Sequence, residues 1–320
     1  MDSHHFNPGP FSQSDIIMSS QGEVYHLAIS EKQLSRNILT VGDPDRVSLI
    51  AKEFLSSVEH EVFHRGLRTI TGTVRETGQR VSLVTSGMGT PSLEIVLAEL
   101  MTLNEIDPAT RKRRTEIKPL TIIRVGTSGA LHETTELGSA IITSYAVGLD
   151  NTGLFYDSPP ADKECVAIEG SIKKMLDQVM APSSRFYGKI HPYVSKANPA
   201  VLAALQAQAT KLNAPHHVGV TVASSGFHGN QGRDVARIAL SVPDIDLHLS
   251  KLELPQGQRV LNMEMESSHL FHYAWGLGYR AGTVCAAVAN RRSETFAANS
   301  AEGVLRAVQI ALGALSSVGG

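Results

Sequence analysis

The stretch Leu120 to Ala130, LTIIRVGTSGA, constrains the fold more than any other part of the sequence. Leu120 to Val125 is an apolar, β-branched run of strand length, carrying one charge, Arg124, near its end. Gly126, Thr127, Ser128 and Gly129 follow and are expected to break it. A continuous apolar run bounded by glycines reads as a central strand buried on both faces. An unpaired guanidinium in such a strand would be very costly. Arg124 therefore needs a fixed negative partner. Either an anion lies beyond the strand's C-terminal end, approached by glycine N–H groups, or the partner is an internal carboxylate.

Other short strands are predicted at 38–41, 80–85, 139–147, 217–223, 260–263 and 280–289. Helical spacing falls at 47–54, 92–103, 199–212, 267–275 and 301–315. Residues 23–29 read as extended, and 60–74 as a loosely alternating run. Strands alternating with helices mark an α/β protein with a largely buried sheet. Residues 1–21, with Pro8, Gly9, Pro10 and several serines, read as a flexible N-terminal tail. His4 and His5 in that tail have no ligand partner in view, so no metal is assigned to them. Residues 22–320 are expected to form a single domain, with a surface excursion at about 150–198 that holds a helical piece near 172–179. The basic run Arg111 to Arg114 reads as a solvated loop.

Composition excludes several classes. A hydrophobic fraction of 42% over 320 residues supports a sizeable core. A net charge of −2 and no aromatic-interleaved basic patch argue against a nucleic-acid partner. Two cysteines, Cys165 and Cys285, make no disulfide framework and point to a reducing cytoplasm. No apolar run reads as long enough to cross a bilayer, and no signal-peptide pattern is visible, so a soluble protein without a membrane partner is expected. There is no Walker A sequence, and Gly126 to Ala130 lacks the last glycine of a nucleophile elbow.

The polar residues that remain cluster just past strand ends, where open α/β sheets place ligands. In Gly42-Asp43-Pro44-Asp45-Arg46, Asp43 suits an N-cap and Pro44 the first helical turn. A helix start after a strand is an anion site. Arg46 opposes the helix dipole there unless it faces an anion; the alternative is a solvated arginine. Ser86 to Ser92 is a small-residue loop that suits phosphate or ribose contact, or a plain turn. Arg46, Arg65 and Arg124 could form one anion cluster, since guanidinium forks match phosphate oxygens. Glu264 and Glu266 could accept from vicinal hydroxyls or simply complement a helix dipole. Phe227, Gln231 and Arg233 offer a ring face, an amide and a cation for a planar heterocycle, or a polar loop around a core phenylalanine.

Six pieces occur in a fixed order: GDPDRV at Gly42 to Val47, SGMGTPS at Ser86 to Ser92, IIRVGTSGA at Ile122 to Ala130, FHGNQGR at Phe227 to Arg233, NMEMES at Asn262 to Ser267, and Asn290-Arg291. Together they resemble the nucleoside phosphorylase superfamily, and within it the uridine phosphorylases, from about Glu23 to about Ser316. The resemblance implies a central mixed β-sheet forming a distorted barrel flanked by α-helices. It implies phosphorolysis of uridine to uracil and ribose 1-phosphate, with inorganic phosphate as co-substrate and no metal or organic cofactor. Gly42, Arg46, Arg124 and Thr127 would bind phosphate, with Arg65 supplied by a neighbouring subunit of a homo-oligomer. Met265, Glu266 and Glu264 would hold the ribose, with His26 of the neighbour at its 5′ end. Ser128, Gly129, Phe227, Gln231, Arg233 and Arg291 would form the base site. Arg124, Gln231, Arg233 and Glu266 would carry the catalysis.

Two positions refine the resemblance. Purine phosphorylases usually carry an Asp where Asn290 stands, and an amide cannot act as that acid. Gly66 stands where bacterial uridine phosphorylases place a Glu that helps hold an interfacial cation. The alternatives are a broader pyrimidine phosphorylase acting on deoxyuridine or thymidine, a purine phosphorylase, a nucleosidase, and a non-catalytic nucleoside-binding or storage protein. A nucleosidase would not need Arg46 and Arg124.

Overall fold

The computed structural model describes residues 7–318. In chain order the elements are β1 (Asn37–Val41), α1 (Pro44–Phe54), β2 (Leu55–His64), β3 (Leu67–Val74), β4 (Arg80–Thr85), α2 (Thr90–Glu105), β5 (Thr121–Ala130) and β6 (Ala140–Gly148). Then come α3 (Lys163–Val179), β7 (Tyr193–Lys196), α4 (Pro199–Lys211), β8 (His216–Ala223), α5 (Ile245–Lys251) and β9 (Val260–Glu264). The chain ends with α6 (Ser267–Leu277), β10 (Arg280–Asn290), β11 (Thr295–Phe296) and α7 (Ala301–Val318).

The central strand runs straight through the glycines expected to break it. Gly126 pairs with Cys285, and Gly129 with both Ala289 and Met263. The glycines serve packing instead: a Cβ on Gly126 would lie 2.1 Å from Arg124 Nη1. Strands β5, β10, β6, β8 and β9 pair in a ring, because β10 bonds both β5 and β6. That closure makes a five-stranded mixed barrel and removes its open edges. On the outer side of β5 the sheet continues through β1, β4, β3 and β2. The expected α/β class and helix-flanked mixed barrel are borne out.

The loosely alternating run is a long hairpin of β2 and β3. Its two-residue turn is Arg65-Gly66, both with positive φ (51° and 79°), as a tight hairpin turn requires. Register shifts between Leu55 and Ser57 and between Val58 and His60 spoil the period-two pattern.

Part of the stretch read as a surface excursion is core. Asp162 caps α3 by accepting the Cys165 N–H at 3.1 Å. Cys165, Ile168, Ile172 and Leu176 are buried with Val194 of β7, which adds to β6. The basic run is not solvated either. Arg111 donates from Nε to Phe11 O at 2.8 Å and from Nη2 to Ser12 O at 2.6 Å and to Ile16 O. Arg113 lies 5.5 Å from the Phe11 ring centre and pairs with Glu105, while Arg114 pairs with Glu31. These contacts tie the segment around residues 8–16 to the loop after α2; His4 and His5 lie outside the described residues.

Helix α7 is long and apolar enough, by composition, to cross a membrane, which the sequence reading did not expect. Here half of it is buried, with Ala307, Val308, Ala311 and Leu315 packed in the core beside α4, β5 and β10.

Candidate active site

Strands β5 and β9 touch only where Gly129 meets Met263 and Ala130 meets Asn262, so their C-terminal ends converge. Around that point the ends of β1, β5, β9 and β10 and the loop after β8 open onto one cavity of about 1070 Å³. Gly42, Arg46, Arg124, Thr127, Ser128, Gly129, Phe227, Gln231, Arg233, Glu264, Met265, Glu266 and Arg291 all line it.

His26 and Arg65 do not. The His26 ring Nδ1 lies 2.7 Å from Glu99 Oε1, and the same carboxylate accepts the His26 and Leu27 N–H groups. Arg65 reaches Tyr25 OH at 3.4 Å and lies over that ring at 5.2 Å. His64 Nδ1 is 3.1 Å from His26 O. The two residues assigned to a neighbouring subunit thus share one patch of their own chain, apart from its cavity.

At the cavity's β1 end, Asp43 caps α1 by accepting the Asp45 N–H at 2.9 Å, with Pro44 in the first turn. Arg46 follows on that turn and has no hydrogen bond or ion pair among the described residues. Burial lowers its pKa, with Asp43 opposing. A cation without an ion-pair partner, on the first turn of a helix, is suited chemically to an anion.

Arg124 meets the other of the two partners open to it: its anion is internal. Nη1 is 3.0 Å from Glu264 Oε2, and Nη2 pairs with Glu266. Glu264 also accepts the N–H groups of Glu266 and Ser267 at 3.0 Å, opening α6. Glu266 accepts the Gly89 N–H at 2.6 Å, which fixes the Ser86 to Ser92 loop against the carboxylate. Burial disfavours the Arg124 charge, but Glu266 and then Glu264 outweigh it and raise its pKa. Burial raises the Glu264 pKa, with Arg124 opposing. The buried Arg124 Nε–H has no partner. Beside Nη1, at 3.5 Å, sits the Cys285 thiol, which burial pushes up to about 12 and so keeps neutral.

The loop after β8 makes one tight turn, Gly229 to Gln231, and Gly232 follows at φ 74°. That reversal brings Arg233 back over Phe227, 3.9 Å from its ring centre. Arg233 Nη1 donates to Phe227 O at 2.5 Å and to Gln231 Oε1 at 2.8 Å. Gln231 Nε2 makes two long bonds, 3.4 Å each, to Ser224 Oγ and Glu264 O. Phe227 is 52% exposed, so it is a cavity wall and not a core residue. Burial lowers the Arg233 pKa; Arg291 adds to the shift and Asp246 opposes it.

Ser128 Oγ is buried without a partner. Met265 reaches towards Gly89, and Met88, 81% exposed, stands at the cavity mouth. Asn290 spends its amide tying the turn after β10 to the loop between β5 and β6. Nδ2 donates to His132 O and Thr135 O at 2.8 and 2.9 Å, and Oδ1 accepts the Arg292 and Ser293 N–H groups. Among the described residues, no three His, Cys, Asp or Glu side chains are grouped to hold a metal.

Sequence reasoning missed Asp246, a buried acid on the seven-residue helix α5. It pairs with Arg291 and Arg292. A single acid in a short helix leaves no spacing pattern that could have flagged it.

The family described as the phosphorylase superfamily matches residues 36–316. A uridine phosphorylase of Thermococcus kodakarensis is 30% identical over 286 residues, spanning 89% of this chain and 84% of that one. A uridine phosphorylase of Escherichia coli is 27% identical over 281 residues, spanning 86% and 89% respectively. A crystal structure of a Trypanosoma brucei nucleoside phosphorylase, described as showing uridine phosphorylase activity, superposes with a TM-score of 0.85. It shares 29% identity and covers 95% of this chain and 100% of that one.

Proposed function

The chain belongs to the phosphorylase superfamily, and on that premise we propose that it cleaves uridine with inorganic phosphate, giving uracil and ribose 1-phosphate. One observation carries the reading. A single cavity presents, side by side, an unpartnered cation at Arg46, carboxylates at Glu264 and Glu266, and a Gln231–Arg233 clamp beside an open Phe227 ring. These suit, in turn, an inorganic anion, a polyhydroxyl sugar and a flat ring with carbonyl edges.

Gly42, Arg46 and Thr127 hold phosphate against the sugar face, Arg124 has only its Nε–H left to offer it, and Arg65 of a neighbouring copy completes the cluster. Glu266 and Met265 hold the ribose, Glu264 fixes Arg124 beside it, and His26 of the neighbour meets the 5′ end. Phe227 stacks on uracil, Gln231 and Arg233 bond its polar edge, and Ser128, Gly129 and Arg291 line the pocket. Breaking the C1′–N bond sends the electron pair into the base and leaves cationic character on the ribosyl group. A phosphate oxygen attacks C1′ and bonds to it. Positioning phosphate in line makes the step effectively unimolecular. Arg233 stabilises the charge that develops on the departing uracil. The relatives named uridine phosphorylase support this base choice. So does the Asn290 amide, whose Nδ2 is committed to the carbonyls of His132 and Thr135 and which offers a purine ring no acid. Two buried free thiols suit a reducing compartment, and the cytoplasm is the location proposed.

The deciding experiment follows uridine absorbance with and without phosphate, beside deoxyuridine, thymidine and inosine. Loss of uridine only when phosphate is present is expected. Equal loss without phosphate would mean hydrolysis, and calorimetric binding without any loss would mean a storage protein; either result overturns the proposal.

A further inference from the structure

Two turns make the base side of the cavity, Gln231-Gly232-Arg233 and Asn290-Arg291-Arg292. They bring three guanidinium groups into one corner, where like charges repel. One carboxylate, 3% exposed, stands between the turns: Asp246 of α5. Its Oδ2 is 3.3 Å from Arg291 Nη2 and accepts from Arg292 Nη2. Its Oδ1 lies 2.6 Å from where a Cβ on Gly232 would be, so the missing side chain of Gly232 is what lets the carboxylate press on the first turn. Arg291 in turn packs on Gly129, whose Cβ position is 3.6 Å from Arg291 Cγ, and its N–H donates to Ala130 O at 2.9 Å. Helix α5 is itself fixed, with Ile245 and Leu249 buried in the core beneath it.

We propose that Asp246 is a positioning residue for the base site. The inference rests on uracil lying against Gln231 and Arg233. Asp246 holds Arg291 on the pocket wall and keeps the Gln231–Arg233 turn in register with it. Its carboxylate also offsets the repulsion between Arg233 and Arg291. It therefore governs affinity for the nucleoside and not for phosphate, whose free cation, Arg46, lies at the β1 end of the cavity.

The test is a steady-state comparison of wild type, Asp246→Asn, Arg291→Met and the double variant, with uridine and phosphate varied separately. Asp246→Asn is expected to raise the uridine KM about tenfold, with kcat within threefold and the phosphate KM unchanged. Arg291→Met should do the same, and the double variant should be no worse than Asp246→Asn alone, because the two act as one unit. Asp246→Glu should recover part of the loss. A uridine KM unchanged in either single variant, or equal rises in both KM values, overturns the inference. If Asp246→Asn does not fold, Asp246→Glu decides by the same criterion: a smaller rise in the uridine KM alone is expected, and an unchanged uridine KM overturns the inference. Absence of phosphate-dependent turnover in the wild type removes the uridine reading and this inference together; turnover with an indifferent Asp246→Asn removes only the latter.

Discussion

Arg124 is buried in a strand, and its charge is met twice over, by Glu264 and Glu266. Its guanidinium lies where any side chain on Gly126 would be. Gly126→Ala is therefore expected to push Arg124 off Glu266 and misplace the groups around the sugar. A displacement of an ångström can cost about 100-fold in rate, and kcat/KM for uridine should fall by about that factor. On the proposed role of Arg233 at the leaving base, Arg233→Ala should lower kcat about 10²- to 10³-fold in the same assay. At this scale the sequence was readable wherever a polar residue stood at a strand end or beside a glycine, as with Arg46, Arg124, Gln231 and Arg233. It was silent on commitment: nothing in the pattern told that Arg124 is spent on carboxylates while Arg46 is free. Asp246 was invisible because its meaning comes from two turns distant in sequence.

Among the elements, α3 and β7 changed most between sequence and structure. Pro, Gly and Asp on both sides made residues 150–198 look like surface, yet Leu176 is fully buried with Ile168, Ile172 and Val194. Leu176→Ala should cost about 2–5 kcal/mol of unfolding free energy in urea titration, where a surface excursion would show almost none. The hairpin β2–β3 hid for another reason, its two register shifts, which erase alternation. Helix α6 carries a buried titratable group. His269 has neither ring nitrogen bonded, and lies 5.6 Å from the rings of both Tyr156 and Tyr273. Burial lowers its pKa from 6.5 to about 4, with Asp150 opposing and His272 adding. Its neutral form is the folded form. The stability it allows is complete above pH 6.5 and drains away as pH falls towards 4, by about 3 kcal/mol in all. His269→Leu should flatten that part of the acid limb in a series of Tm values against pH.

The whole molecule presents a cavity on one side and the His26, Tyr25, His64 and Arg65 patch elsewhere. If copies exchange these patches, an Arg65→Ala subunit and an Arg233→Ala subunit should each be nearly inactive alone. Co-expressed, they should regain a substantial fraction of activity, since some interfaces then hold one intact set. Activity that stays at the level of the separate variants would mean each chain works by itself. Strand alternation and strand-end chemistry were local and so could be read; the ring closure joins residues 121–130 to 280–290 and could not be.

That closure has a consequence for how the protein is made. Strand β10 is the seam between β5 and β6, and it is synthesised after both. While the ribosome is still translating, β5 and β6 each offer an unzipped border to any passing strand. A chain that lacks residues 280–290 can never seal the ring.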